Sequence, residues 1–266
     1  MTKHIDTHSH LYMHHFDSDR DEVLERMKEN NVETITVGVS FETSKKAIAL
    51  AQSQERVVGA TIGVHPTDTN EQFDISNYSQ LLAEFPNQIV GVGECGFDYY
   101  RTPKEEVYVH QREVFEAQVQ FAAENNLPLM LHVRPSEGTM DAHEDALEVL
   151  KLYQKEYGDT VRGNTHFFTG TKEISREYLA LGFTIAFPGV ITFAPELEEV
   201  VRDVPLDMML VETDSPYAAP VPHRGKRNEP LFVIDTIRAI ADMRGENFEK
   251  VREQLYKNTR TLFLGA

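Results

Sequence analysis

Lys3-His4-Ile5-Asp6-Thr7-His8-Ser9-His10 opens the chain with a short β-rich run that ends in two histidines. A doubly wound open sheet that binds a dinucleotide carries the pattern G-x-G-x-x-G directly after its first strand. This chain has histidines at that place and no such glycine pattern. The opening stretch therefore favours a closed α/β barrel over the open sheet, which is the main alternative architecture.

The rest of the chain repeats the same plan, because short apolar, β-branched runs alternate with amphipathic stretches and no linker or low-complexity segment interrupts them. Eight runs are strand candidates, and their nearly continuous apolar character is typical of a buried parallel sheet. They are Lys3–Thr7, Thr34–Val39, Val57–Val64, Ile89–Gly93, Leu127–Val133, Gly163–Phe168, Thr184–Phe187 and Met208–Glu212.

Helical patterns lie between these runs and after the last one. They cover Asp19–Asn30, Phe41–Gln54, Ile75–Phe85, Glu105–Asn125, Ala142–Glu156, Lys172–Leu181, Leu231–Arg244 and Phe248–Leu264. Barrels of roughly 250 residues are common as single domains. The sequence thus predicts the α/β class, as a (β/α)8 TIM-type barrel that forms one domain over residues 1–266.

Composition excludes several classes of protein. Twenty-six basic and 43 acidic side chains give a formal charge of −17, which opposes tight, sequence-independent binding along a DNA duplex. No apolar run approaches the length that a bilayer requires, and the start carries no apolar signal region. The single cysteine, Cys95, forms no internal disulfide. We expect a cytoplasmic protein without a membrane association, and nothing in the sequence implies an obligate protein partner.

Candidate metal ligands begin with His8 and His10. In an extended segment their i, i+2 spacing places both imidazoles on one face, where a single cation can contact both. Histidine pairs also occur on solvated surfaces, so the motif alone leaves both interpretations open. Its place at the end of the first strand favours the ligand interpretation.

Four further candidates lie at or after the ends of other strands, namely Glu94, His132, His166 and Asp214. The C-terminal strand ends of an α/β barrel surround one cavity, so residues far apart in sequence converge there. We predict a metal site with two divalent ions at these ends and assign its ligands in two groups. One group is His8, His10, Glu94 and Asp214, and the other is Glu94, His132 and His166, with Glu94 bridging the ions.

Two cations about 3.5–4 Å apart lower the pKa of a shared water and polarise a phosphoryl or carbonyl oxygen, which is the chemistry of hydrolysis. Asp214 is assigned the general-base role and counts, with Glu94, as a catalytic residue. Imidazole-rich sites suit Zn, Mn or Fe, whereas phosphate chemistry often runs on Mg, so the identity of the metal stays open.

Five blocks together resemble the TatD family of metal-dependent deoxyribonucleases, within the amidohydrolase superfamily, over essentially the whole chain. They are Asp6-Thr7-His8-Ser9-His10-Leu11, Gly63-Val64-His65-Pro66, Gly93-Glu94-Cys95-Gly96-Phe97-Asp98-Tyr99-Tyr100, His166-Phe167-Phe168-Thr169-Gly170 and Glu212-Thr213-Asp214-Ser215-Pro216-Tyr217. Phe97 stands where many relatives carry leucine, and Phe167 where cysteine or serine is frequent; neither is a proposed ligand. The resemblance implies the same ligand set, and DNA as the substrate, single-stranded or end-accessible and cleaved from an end.

Residues beside these ligands receive supporting roles. Asp6, His65, Asp98 and Glu212 are expected to orient the imidazoles through the ring nitrogen that does not face the metal. Basic residues of the loops after strands four, five and eight share the rim of the barrel, and aromatic side chains offer faces for unpaired bases. The candidates for substrate binding are Arg101, Arg134, Arg224, Lys226, Arg227 and Tyr99, although ordinary solvated loop charge and core packing explain any one of them equally.

Three functions compete at this point. The first is a metal-dependent nuclease. The second is a hydrolase of small phosphoesters, esters, amides or aminoacyl-tRNA on the same dinuclear site. The third is a non-catalytic metal-binding scaffold.

Overall fold

The computed structural model describes residues 3–68 and 70–265, so the predicted domain limits at residues 1 and 266 lie outside the described residues. Eight strands form one parallel sheet in the sequential order β1 to β8. They are β1 His4–Ser9, β2 Val32–Val37, β3 Val57–Ile62, β4 Ile89–Asp98, β5 Leu129–Arg134, β6 Gly163–Thr165, β7 Thr184–Phe187 and β8 Met209–Val211. The predicted (β/α)8 TIM-type barrel is confirmed.

Helices connect the strands and pack outside the sheet. They are α1 Arg20–Glu29, α2 Phe41–Ser53, α3 Ile75–Glu84, α4 Lys104–Glu124, α5 Asp141–Tyr157, α6 Lys172–Ala180, α7 Glu198–Asp203, α8 Val233–Arg244 and α9 Phe248–Phe263. Local sequence defines several of their starts, since the side chains of Ser40, Asp74, Thr171 and Asn247 accept backbone hydrogen bonds from the first turn that follows.

The helix α7 is absent from the sequence-based prediction, because six residues are too few to show a helical period. The helix α8 begins at Val233 rather than at Leu231, because Pro230–Phe232 forms a separate 3-10 turn. Among the helices of the described segments, none combines the length and the apolar character that a membrane span requires.

The barrel closes between its first and last strands through a short parallel contact rather than a regular ladder. Ser9 and Ser215 form an isolated bridge. The amide of His10 donates to the carbonyl of Ser215 at 2.8 Å, and the amide of Asp214 donates to the carbonyl of His8 at 2.9 Å. Closure therefore places His8 of β1 and His10, which follows this strand, directly beside Asp214.

Strand β4 extends five residues beyond the predicted end at Gly93 and carries Glu94 in its interior. Gly93 and Gly96 have φ angles of 149° and 140°. A Cβ at Gly93 would overlap the carbonyl oxygen of Met130, and one at Gly96 would overlap that of His132. Glycine at these two positions lets β4 lie close against β5, and this close approach holds Glu94 beside the side chain of His132.

Candidate metal centre at the barrel mouth

Imidazoles and carboxylates from β1, β4 and β5, and from the segments that follow β1, β6 and β8, meet at the C-terminal end of the barrel. Nε2 of His8 and Nε2 of His10 lie 3.2 Å apart. The Oδ1 atom of Asp214 is 3.7 Å from the first and 3.4 Å from the second of these nitrogens. These three side chains form one compact group, which follows from the closure between β1 and β8.

Glu94 links this group to a second one. Its Oε1 lies 3.2 Å from Nε2 of His8 and 3.3 Å from Nε2 of His10. Its Oε2 lies 3.3 Å from Nδ1 of His132 and 3.3 Å from Nε2 of His166. The structure thus brings together all six residues that were predicted as ligands, with the two oxygens of Glu94 facing different sets of imidazoles.

The donor set fits divalent cations. Two ligand atoms that each lie about 2.1 Å from one tetrahedral cation are about 3.4 Å apart. The observed separations between facing nitrogen and oxygen atoms run from 3.2 to 3.7 Å. Histidine and carboxylate groups of this kind can hold a metal as His8 with Glu94 and His166, as His8 with His10 and Asp214, and as His65 with Glu94 and His132.

Hydrogen-bond acceptors on the side away from Glu94 orient three of the imidazole rings. Oδ2 of Asp98 lies 3.0 Å from Nε2 of His132, and Oε1 of Glu212 lies 3.0 Å from Nδ1 of His166. Nδ1 of His10 donates to the carbonyl oxygen of Val37 at 2.9 Å. In each case the hydrogen bond holds the ring so that its other nitrogen faces Glu94, the arrangement that orients histidine ligands in metal sites.

Burial and charge set the protonation of the group. Burial alone would raise the pKa of Glu94, but the imidazoles of His8 and His166 hold it well below its usual range. Burial likewise opposes ionisation of Asp214, whereas the hydrogen bond from His10 lowers the pKa of this carboxyl. Burial, with a contribution from His132, lowers the pKa of His65 to about 3. The carboxylates are charged and His65 is neutral, the forms that bind cations.

Two of the expected supporting residues take different places. Among the imidazoles of the described residues, none hydrogen-bonds to Asp6; its oxygens accept hydrogen bonds from the amides of His8 and Thr213 and from the hydroxyls of Thr213 and Thr34. It therefore ties β1 to the segment after β8. His65 faces the centre directly: its Nε2 lies 3.6 Å from Oε2 of Glu94, and its ring centre lies 4.2 Å from that of His132. In the sequence, the only indication that His65 belongs beside the metal ligands is its place in the block Gly63-Val64-His65-Pro66.

A cleft of about 760 Å³ opens above the group, and Glu94, His132, His166 and Asp214 lie in its wall. Arg101 and Arg134 line its mouth. Both side chains are exposed. Tyr217, also at the mouth, is 48% exposed.

Other substrate-binding candidates lie outside this cleft. Tyr99 is buried, and its hydroxyl donates to Asp145 at 2.8 Å, so the prediction of an accessible stacking face there is wrong. Arg227 forms a bidentate ion pair with Asp19, with both nitrogen–oxygen distances at 2.6 Å. Arg224 lies over the ring of Phe193, 3.6 Å from its centre, and Lys226 is exposed on the same loop. The basic part of the loop after β8, residues 224–227, packs onto neighbouring elements, whereas Tyr217 of the same loop lines the cleft with Arg101 and Arg134.

Comparison with known proteins gives a consistent result. The family model described as TatD related DNase matches residues 5–264. The uncharacterized metal-dependent hydrolase YabD of Bacillus subtilis (strain 168) is 37% identical over 266 residues, which cover 97% of this chain and 98% of that protein. The 3'-5' ssDNA/RNA exonuclease TatD of Pantoea vagans (strain C9-1) is 33% identical over 257 residues, which cover 93% of this chain and 94% of that protein.

The fold agrees with a solved structure of the same group. YJJV, a TATD homolog from Escherichia coli k12, has a TM-score of 0.88 and 26% identity, with 99% of this chain and 98% of that chain covered. These matches favour the two enzyme hypotheses over the non-catalytic scaffold. The chain belongs to the TatD-related DNase family and is a metal-dependent hydrolase.

Proposed function

We propose that the protein is a divalent-metal-dependent nuclease that removes nucleotides from an accessible end of single-stranded DNA. The observation that carries this proposal is the position of Glu94, whose two carboxylate oxygens face two separate groups of imidazoles. A bridging carboxylate of this kind is the typical centre of a two-metal hydrolytic site.

Charge supports a pair of ions. Glu94, Asp98 and Glu212 are buried, and Asp214 is half-buried beside them. Among the described residues, no lysine or arginine forms a salt bridge with any of these four carboxylates, whose charged partners are all histidines. Imidazoles that bind a metal must be neutral, and the group would then carry four negative charges, which two divalent cations would balance. Buried charges without such compensation are strongly unfavourable.

His8, His10, Glu94 and Asp214 would hold one ion, and Glu94, His132 and His166 the other. Bound there, the ions would supply Lewis-acid chemistry, lowering the pKa of a water and polarising the phosphoryl oxygens. His65 lies at the rim of the second group, 3.6 Å from Oε2 of Glu94. Zn, Mn and Mg all remain candidates for these positions.

The protein's own groups would perform the remaining steps. Asp214 lies in the cleft wall with Oδ1 against His8 and His10, where it can accept the proton of the attacking water. Asp98 and Glu212 keep the rings of His132 and His166 in one orientation through the hydrogen bonds of 3.0 Å. The barrel wall below excludes bulk water, since His8, Glu94 and Glu212 are almost fully buried.

Two observations support a nucleic-acid end as the substrate. The cleft is open on one side and carries guanidinium groups at its mouth despite the chain's net charge of −17. The relative from Pantoea vagans is named a 3'-5' ssDNA/RNA exonuclease and covers nearly the whole chain. A strand end entering the cleft would place its terminal phosphodiester beside Glu94 and Asp214.

The test is nuclease activity on end-labelled oligonucleotides, single- and double-stranded, with Mg, Mn or Zn and with a chelator control. We expect stepwise shortening of the single strand from one end with at least one of these ions and none with excess chelator. Turnover of a small phosphodiester such as bis(p-nitrophenyl) phosphate, with no cleavage of any oligonucleotide, would contradict the proposal and favour the small-substrate hydrolase.

A further inference from the structure

The mouth of the cleft has two chemically different sides. Arg101 follows β4 and Arg134 ends β5, whereas Met13 follows β1 and Tyr217 follows β8. In a barrel with the strand order β1 to β8, the β4–β5 pair lies opposite the β8–β1 pair. The cationic and the aromatic residues therefore face each other across the metal centre.

The cationic side is free to bind an anion. The guanidinium carbon of Arg134 lies 3.8 Å from the ring centre of Tyr100, a stacked contact that orients the planar group and leaves its N–H donors free. Within residues 3–68 and 70–265, no carboxylate forms a salt bridge with Arg134 or Arg101. Arg227, by contrast, would have to break its ion pair with Asp19 before binding a phosphate. These two arginines are also the only lysine or arginine side chains among the described residues of the cleft wall.

The aromatic side presents a ring held by its neighbours. The hydroxyl of Tyr217 lies 3.6 Å from Sδ of Met13. The ring also contacts those of His15 and His10 with centre-to-centre distances of 6.2 and 6.4 Å, both at steep angles. The side chain is nevertheless 48% exposed, so part of the ring remains accessible to a ligand. A base can stack on such a ring without regard to its sequence.

We propose that a single strand crosses the cleft with its terminal base stacked on Tyr217 and its penultimate phosphate bound by Arg134 and Arg101. This inference rests on the nuclease function proposed above and assigns the two sides of its substrate. The terminal phosphodiester then lies between them, over Glu94. The arrangement selects unpaired ends, because a base inside a duplex has both faces covered by its neighbours. With one phosphate neutralised by the two arginines, the logarithm of the affinity should fall against the logarithm of salt concentration with a slope of about −0.7.

The test combines protein variants with altered oligonucleotides. One oligonucleotide has an abasic terminal nucleotide, and another has a neutral methylphosphonate at the penultimate linkage. We expect Tyr217→Ala to raise KM about tenfold on the unmodified strand and to have no effect on the abasic one. Arg134→Gln should raise KM about tenfold on the unmodified strand and have no effect on the methylphosphonate one, with kcat nearly unchanged in both variants. Lys226→Gln, an exposed cation outside the cleft, is the matched control and should leave all substrates unaffected.

Equal losses on modified and unmodified strands would overturn the assignment of the corresponding side chain. Fluorescence anisotropy of the same labelled oligonucleotides, measured with chelator present, separates this inference from the proposed function. Binding that depends on Tyr217 and Arg134 without any cleavage by metal-loaded enzyme would refute the nuclease function and keep the two-sided cleft. Absence of binding to every oligonucleotide, together with no cleavage by the metal-loaded enzyme, would refute both.

Discussion

Asp98 and His132 form a hydrogen bond of 3.0 Å between Oδ2 and Nε2, and this bond directs the other ring nitrogen of His132 at Glu94. The carboxylate also accepts the amides of Tyr100 and Arg101, so the turn after β4 holds it in place. Asp98, at the end of β4, therefore fixes the orientation of His132 on β5. The ring of His132 would lose its fixed orientation if this acceptor were removed.

Asp98→Asn should lower metal affinity or activity by roughly 10- to 100-fold, because an amide is a weaker acceptor than a carboxylate for the ring N–H. Metal titration followed by activity at saturating metal measures the two effects. Asp235→Asn is the matched control. Asp235 lies on α8 and pairs at 3.2 Å with His223 of the loop after β8, and neither residue lines the cleft. Equal behaviour of the two variants would argue against a role of Asp98 at the metal centre.

Glu94→Gln keeps the shape of the side chain and removes the charge between the two groups of imidazoles. We expect activity to fall by roughly 1000-fold or more, since two-metal sites contribute several kcal/mol through the bridged ions. Metal content should fall with it, while the circular dichroism spectrum stays that of the native barrel. A variant that turns over substrate within tenfold of the native rate would be inconsistent with the bridging role.

Gly96→Ala should destabilise the protein by about 3 kcal/mol, because the added Cβ would overlap the carbonyl oxygen of His132 and push β4 away from β5. Gly138→Ala is the control. Gly138 also has a positive φ, 74°, but an added Cβ there meets nothing within 4 Å, so we expect a cost of about 1 kcal/mol from the backbone conformation alone. Urea unfolding of both variants gives the difference, and equal costs would show that close packing of β4 on β5 is unimportant.

His143 predicts a pH dependence of stability away from the metal centre. The side chain is buried on α5, and its Nδ1 lies 3.2 Å from the hydroxyl of Tyr178. Burial lowers the pKa of His143 from 6.5 to about 4, although the nearby carboxylate of Asp141 acts in the opposite direction. Above pH 6.5 both folded and unfolded states are neutral at this residue, so it adds no pH dependence. As pH falls below 6.5 the unfolded state takes up the proton first, and stability declines by up to about 3 kcal/mol until the folded state is protonated near pH 4.

The free energy of unfolding should therefore fall less steeply between pH 6.5 and 4 in His143→Gln than in the native protein. Urea titrations at several pH values measure both slopes. His14→Gln, which replaces an exposed histidine, should keep the native slope. Parallel curves for the native protein and His143→Gln would refute the assignment of this proton uptake to His143.

The alternation of apolar runs and amphipathic stretches was enough to predict the barrel, because parallel strands buried on both faces are locally apolar. The sequence pattern ends β4 at Gly93, five residues before its end in the structure, for a local reason. Gly93 and Gly96 interrupt the β-branched pattern and look like a strand end in the sequence, whereas in the fold they let β4 approach β5.

The convergence of the six predicted ligands was predictable because barrel geometry brings every strand end to one cavity. The contacts of the basic loop residues could not be predicted in the same way. Arg227 pairs with Asp19, a residue 208 positions away, and nothing local in the sequence marks such a partner. Tyr99 is a similar case, since its hydroxyl donates to Asp145 of α5, a residue 46 positions away.

The most direct test of the central claim is the anomalous difference map of crystals grown with Mn²⁺. Two peaks flanking the carboxylate of Glu94 are predicted, one beside His8, His10 and Asp214 and the other beside His132 and His166. A single peak, or two peaks of which neither contacts Glu94, would contradict the dinuclear site.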